Sequence, residues 1–198
     1  MFIETEETPN PATLKFLPIG REVMGRNAST MDFAQASSAV GRSPLAEALF
    51  AIPGVIRVFL GEDFISVTKA SHREWEEIRG QVLRVLMDYF TTGQPIVLKG
   101  ADVVEGSTTE DLADSEASDP VEAAIITQIK ELLDTRIRPA VATDGGDIVY
   151  RGYHNGVVRL TMQGACSGCP SSRATLRHGV ENLLRHYIPE VVAVEQVD

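Results

Sequence analysis

A run of acidic residues near the middle of the chain is the feature that most constrains its fold. Positions 101–119 hold seven Asp or Glu residues, no Lys or Arg and no aromatic side chain. Such a segment buries too little apolar surface to offset the entropy of ordering it, and its like charges keep it extended. We therefore interpret 101–119 as a linker between two domains, 1–100 and 120–198. The alternative is a solvated helix at a domain edge.

Charge and hydropathy limit the classes of partner. The net charge of the 198-residue chain is −10, and the linker supplies most of it, because 1–100 holds 10 basic and 12 acidic residues and 120–198 holds 8 and 9. A net negative charge disfavours binding to nucleic acid and to anionic membranes, because like charges repel. The most apolar charge-free run, at 48–56, is far shorter than the roughly 20 residues of a spanning helix. We expect no nucleic-acid partner and no membrane partner.

The N-terminus and the cysteine count indicate a reducing compartment. Met1-Phe2-Ile3 is followed by three glutamates, unlike the basic start of a signal or transit peptide. Two cysteines in the whole chain are too few for a disulfide framework. These features predict a cytoplasmic protein, or a mitochondrial-matrix protein if the chain is a processed eukaryotic form.

The first domain has an α+β pattern without a chemical site. Ser43 before Pro44 predicts one helix, and the box from Ser71 to Glu74 predicts a second that ends at Gly93. The domain has no cysteine, and His72 is expected to be solvated at a helix start. Strands are predicted as two hairpins and a closing strand, at 2–6 with 13–17, at 55–60 with 64–69, and at 96–98.

The second domain predicts the order α-β-β-α-β, a small three-stranded sheet with helices on one face. Its first helix starts with the capping pattern Asp119–Glu122 and is expected to end before Pro139. Asn155-Gly156 is a strong hairpin signal between strands at 148–153 and 157–162. A helix then starts at Pro170, and a last strand spans 191–197.

Both cysteines of the chain fall in one motif, Cys166-Ser167-Gly168-Cys169-Pro170. The two-residue spacing lets both sulfur atoms point to one centre. A helix that starts at Pro170 turns free N–H groups and its positive dipole end toward the thiols, which favours thiolates. Cys166 and Cys169 are therefore the candidate metal- and cofactor-binding residues. We predict no catalytic residue and no enzymatic activity.

Besides the chance spacing of two inert cysteines, three uses of this motif stay open on residue chemistry alone. The first is thiol–disulfide exchange, although only 29 residues follow Cys169, too few for a thioredoxin sheet. The second is zinc, which needs four ligands in a structural site. His178 and His186 lie about 12 Å apart along a helix, so both cannot join one site, and zinc would need a site of four cysteines shared between two chains. The third is an iron–sulfur cluster, commonly held by four cysteine thiolates, two from each of two chains.

The segment Asp144-Gly145-Gly146-Asp147 has two interpretations. A Gly-Gly turn between a helix and a strand requires no function. The sharper interpretation is that the turn packs beside the cysteine loop and shapes the approach of that loop to client proteins. Its carboxylates are not expected to ligate a cluster, because thiolates suit such a cluster better.

Several motifs of the second domain, taken in order, resemble those of the NifU-like, or Nfu-type, iron–sulfur scaffold and carrier family. They are Arg138-Pro139, Asp144–Ile148, the segment from Gly164 to Ser172, and Thr175-Leu176. Thr8–Pro11 with Lys15-Phe16 resembles the start of the N-terminal Nfu domain found in two-domain members.

The resemblance implies a [4Fe–4S] cluster held by Cys166 and Cys169 of two chains and delivered to apo iron–sulfur client proteins. It also implies upstream cluster assembly proteins as partners and a homodimer in the cluster-bound state. A separate cysteine-rich scaffold domain and a ferredoxin-like cluster are absent from this sequence, which favours a late carrier over the primary assembly platform.

Overall fold

Two units, Met1–Val104 and Glu105–Asp198, make up the chain, and each has its own sheet. The structure is a computed structural model that describes residues 1–25, 28–98, 120–167 and 170–197. The predicted α+β class with two domains is confirmed. The predicted linker 101–119 lies outside the described residues, so its boundaries stay a prediction.

The first unit is built on a five-stranded antiparallel sheet. In chain order the elements are β1 (Ile3–Glu7), β2 (Thr13–Pro18), β3 (Met31–Phe33), α1 (Ala36–Ala39), α2 (Pro44–Phe50), β4 (Val55–Leu60), β5 (Ile65–Lys69) and α3 (Trp75–Thr92). The strand order in the sheet is β1-β2-β5-β4-β3. Both predicted hairpins are confirmed, since β1 pairs with β2 and β4 pairs with β5.

Caps and one apolar face explain the helices of this unit. The Ser43 hydroxyl accepts a hydrogen bond from the Ala46 N–H at 3.1 Å, and Pro44 takes the first helical position of α2. Helix α3 ends at Gly93, whose φ of 65° is left-handed. Ile78, Val82 and Leu86 of α3 are fully buried in the core of this unit.

Two expectations for the first unit are wrong, and two short elements escaped prediction. Helix α3 begins at Trp75 after Glu74, which makes no side-chain capping bond, so the predicted box at Ser71 does not form. Residues 96–98 form no strand; the Ile96 carbonyl instead accepts a hydrogen bond from the Ser43 hydroxyl at 2.7 Å. Strand β3 and helix α1 were not predicted, because three- and four-residue elements carry too little periodicity.

The second unit follows the predicted order around a three-stranded sheet. The elements of this unit are α4 (Pro120–Leu132), a π-helical segment (Leu133–Ile137), α5 (Arg138–Thr143), β6 (Gly146–His154), β7 (Val157–Gly164), a 3₁₀ turn (Ala165–Ser167), α6 (Pro170–Tyr187) and β8 (Ala193–Gln196). Strand β7 is central, antiparallel to β6 and parallel to β8. Asn155 (φ 48°) and Gly156 (φ 82°) form the predicted tight hairpin turn.

The first helix of this unit does not end before Pro139, as the sequence predicted. It continues through the π-helical segment, where the Arg138 N–H bonds to the Leu133 carbonyl five residues back. Pro139 then falls at the start of α5, where the N–H that proline lacks is not needed. The predicted cap Asp119 lies outside the described residues.

Most of the largest buried side chains fall into two separate cores. One core draws on residues between Leu14 and Phe90, and the other on residues between Ile129 and Val194. Within the described ranges, no helix is long and apolar enough to cross a membrane.

Separate cores predict that the two units fold independently. We expect the fragment 120–198 to unfold cooperatively on its own, because its core is built from residues within it. The fragment 1–100 should do the same, because its core also lies within its own bounds. Circular dichroism melting of both fragments beside the full chain checks this. A fragment without a cooperative transition would contradict the division at 101–119.

Candidate metal centre

Cys166 lies in the 3₁₀ turn that connects the end of β7 to the start of α6. Gly164 before it has a φ of 65°, a conformation that favours glycine. The Ser167 hydroxyl donates to the Gly164 carbonyl at 2.8 Å and closes the turn. Residues 168 and 169 lie outside the described residues, so the pairing of Cys169 with Cys166 at one centre stays a prediction.

The turn between α5 and β6 packs directly against this cysteine. The Ala165 N–H bonds to the Gly145 carbonyl at 3.1 Å. A Cβ atom added at Gly146 would lie 2.7 Å from Cys166 Sγ and 2.6 Å from the Gln163 carbonyl oxygen. Only glycine fits such an approach. The packing of Asp144–Asp147 beside the cysteine loop is therefore confirmed, and a role in the approach to clients stays a prediction.

Cys166 is a core residue in this structure. Its relative exposure is 6%, and it belongs to the apolar core of the second unit. Burial is the main cause that raises the pKa of its thiol to about 12, and the carboxylates of Asp144 and Asp147 add to the rise. The sequence predicted that the helix start would favour a thiolate, but at Cys166 burial and the two carboxylates favour the neutral thiol.

The raised pKa has a direct chemical consequence. At neutral pH Cys166 is a neutral thiol, so a metal ion that bound its sulfur would have to displace a proton. The affinity for such an ion would therefore rise with pH.

An ion pair anchors the strand residue that follows Gly146. Asp147 is buried and accepts two hydrogen bonds from Arg138, from Nε and Nη2, both at 2.8 Å. Its Oδ1 also accepts the Ile148 N–H at 2.8 Å, and Arg138 Nη1 reaches Asp134 at 3.1 Å. The bond to Asp147 is the largest cause of the raised pKa of Arg138. Sequence reasoning noted Arg138 only through the family resemblance and missed this pair.

The histidines do not gather at the cysteine loop. His154, His178 and His186 are exposed, as expected, and His72 is exposed in the other unit. Among the described residues, no three His, Cys, Asp or Glu side chains come together in a way that could hold a metal ion.

Comparison with family models matches both units in order. Residues 3–93 match the model described as "Scaffold protein Nfu/NifU N terminal", and residues 129–195 match the "NifU-like domain". These two matches, in this order and with one CxxC motif in the second unit, define a two-domain protein of the Nfu/NifU class.

Curated relatives match the whole chain. The protein named "NFU1 iron-sulfur cluster scaffold homolog, mitochondrial" is 51% identical in Drosophila ananassae and 50% in Drosophila virilis, each over 197 residues. The alignments cover 100% of this chain and 64% and 62% of those relatives, so the chain spans less than two thirds of their length. The chain belongs to the Nfu/NifU family.

One solved structure adds a comparison at the level of coordinates. A NifU-like protein from Saccharomyces cerevisiae, solved by NMR in solution, is 26% identical, with a TM-score of 0.46. It covers 50% of this chain and 86% of its own.

Proposed function

We propose that this protein is a non-enzymatic carrier that holds a [4Fe–4S] cluster through Cys166 and Cys169 and delivers it to apo iron–sulfur proteins. The observation that carries the proposal is the position of the CxxC motif, since both cysteines of the chain fall inside the NifU-like match. The names of the curated relatives, which contain the words iron-sulfur cluster scaffold, support the same function.

The ligand count supports a cluster that bridges two chains. A [4Fe–4S] cluster is commonly held by four thiolates, and one chain has two. The exposed histidines and the carboxylates beside the loop are poorer ligands for it. A homodimer with two CxxC motifs facing each other completes the set. Zinc between two chains and disulfide exchange are the competing functions.

The environment of Cys166 suits temporary binding. The side chain must leave its buried position to ligate a bridging cluster, and its sulfur must lose a proton. Both changes reverse on release, so burial and protonation of the thiol compete with the cluster for Cys166. Such competition favours transfer to a client with better-exposed thiolates.

The setting of the carrier follows from the same relatives. Their names include the word mitochondrial, which favours the mitochondrial matrix over the cytoplasm for this chain. Upstream assembly proteins supply the cluster, and apo iron–sulfur clients receive it. The first unit, which has no cysteine, serves partner choice or regulation.

Reconstitution of the purified full chain with iron and sulfide in the absence of oxygen tests the proposed function. We expect a brown protein with about four irons and four sulfides for every two chains. Stoichiometric zinc without iron uptake would favour the zinc site. Efficient disulfide reduction by the apo protein would favour redox exchange.

A further inference from the structure

The buried position of Cys166 depends on a neighbour in the next strand rather than on its own turn alone. Gly146 is the first residue of β6 and faces Cys166 so closely that no side chain fits between them. An interaction that fixes the position of Gly146 therefore also fixes the backbone surface against which the Cys166 side chain packs.

The residue that follows Gly146 is held from the helical side. Asp147 is buried, and its carboxylate accepts two hydrogen bonds of 2.8 Å from the planar guanidinium group of Arg138. Paired bonds of this kind fix orientation as well as distance. Arg138 itself lies where the π-helical segment meets α5, so the pair joins that junction to the start of β6.

We infer that Arg138 is a positioning residue, which acts through Asp147 and Gly146 to keep Cys166 buried in the unloaded protein. The inference rests on the proposed function in one respect, that Cys166 is a cluster ligand. In a carrier, the pair keeps the unloaded Cys166 thiol away from oxidants and stray metal ions.

The burial of the Asp147 carboxylate explains why loss of Arg138 should have a large effect. Without Arg138, the Asp147 carboxylate keeps the hydrogen bond from the Ile148 N–H but loses its guanidinium counter-charge while it is still buried. Removing one member of a buried ion pair is strongly destabilising. A shift of the carboxylate toward water would lower that cost, and it would carry the start of β6 away from the cysteine turn and open space beside Cys166.

Alkylation of the unloaded full chain by N-ethylmaleimide tests the inference. A Cys169→Ser background leaves Cys166 as the single thiol. In that background, Arg138→Gln should speed modification of Cys166 by about tenfold or more. The control is Arg159→Gln, which breaks the exposed ion pair to Glu195 in the same unit and should change the rate by less than about twofold.

A second variant separates positioning from general stability. Asp147→Asn removes the buried charge, so the double variant Arg138→Gln with Asp147→Asn should return the rate to within about threefold of the parent. A double variant as reactive as Arg138→Gln alone overturns the inference. An unchanged rate in Arg138→Gln overturns it too, as does a rise no larger than the rise in the global unfolding constant in urea.

Reconstitution of the wild-type chain beside these variants keeps the two proposals apart. A wild-type chain that takes up no iron defeats the proposed function, while the alkylation rates still decide the role of Arg138.

Discussion

Cys166→Ala and Cys169→Ala are each expected to abolish stable cluster binding. A dimer of either variant has two thiolates in place of four, too few for a [4Fe–4S] cluster. Iron after anaerobic reconstitution should fall from about four per two chains to the background of an unreconstituted sample. Iron and sulfide analysis with visible absorbance measures the loss.

An exposed histidine of the same unit supplies the control for the cysteine variants. His178→Ala should keep the full cluster, because His178 lies on the exposed side of α6 and has no role as a ligand in the proposed site. A Cys166→Ala protein that retains a cluster would contradict the assignment of the ligands. Loss of the cluster in His178→Ala would bring a histidine into the ligand set.

Gly146→Ala should destabilise the second unit and displace Cys166. The added methyl group would lie 2.6 Å from the Gln163 carbonyl oxygen and 2.7 Å from Cys166 Sγ. The carbonyl belongs to strand β7 and cannot yield without disturbing the pairing of β6 with β7. Overpacking of this kind costs about 1–3 kcal/mol. The unfolding midpoint should fall to a lower urea concentration than in the wild-type chain, and the reconstituted variant should hold less iron than the wild type.

Gly179→Ala is the matched control, since Gly179 lies in α6 with open space around its Cα. There alanine should raise stability by about 0.5–1 kcal/mol, because glycine is the poorer helix former. If Gly146→Ala and Gly179→Ala unfold at the same urea concentration and bind the same iron, the close packing of Gly146 against Cys166 is not the constraint described above.

Local signals predicted the parts of the fold that local chemistry determines. Asn155-Gly156 dictates a turn of left-handed residues, Ser43 caps a helix with its own hydroxyl, and Gly93 ends one. The domain order and the three-stranded sheet of the second unit followed from such signals and from apolar periodicity.

The elements that the sequence did not predict have one of two physical causes. Some depend on contacts between residues distant in the chain, and others are too short to show a periodic pattern. The π-helical segment carries the helix through Pro139, and no sequence period marks such an insertion. Strand β3 exists because Met31 and Phe33 pair with β4, although three residues show no alternation of their own.

For the candidate site, too, the sequence predicted what local residue types determine and missed what depends on packing between distant elements. The CxxC spacing predicted Cys166 and Cys169 as candidate ligands, because a thiolate ligand requires a cysteine and the motif can be read directly from the sequence. The burial of Cys166, its contact with Gly146 and the pair of Arg138 with Asp147 depend on how β6, β7 and α5 pack. The helix start at Pro170 could be read from the sequence, but the burial of Cys166 and the nearby carboxylates that raise the pKa of its thiol could not.

Light scattering on the reconstituted full chain, with iron and sulfide measured on the same sample, tests the bridged cluster most directly. We expect a mass of one chain for the apo protein, a mass of two chains with about four irons for the holo protein, and a return to one chain when a chelator removes the iron. A holo protein that keeps the mass of one chain while holding a full cluster would contradict the bridge and assign the missing two ligands to small thiols from solution.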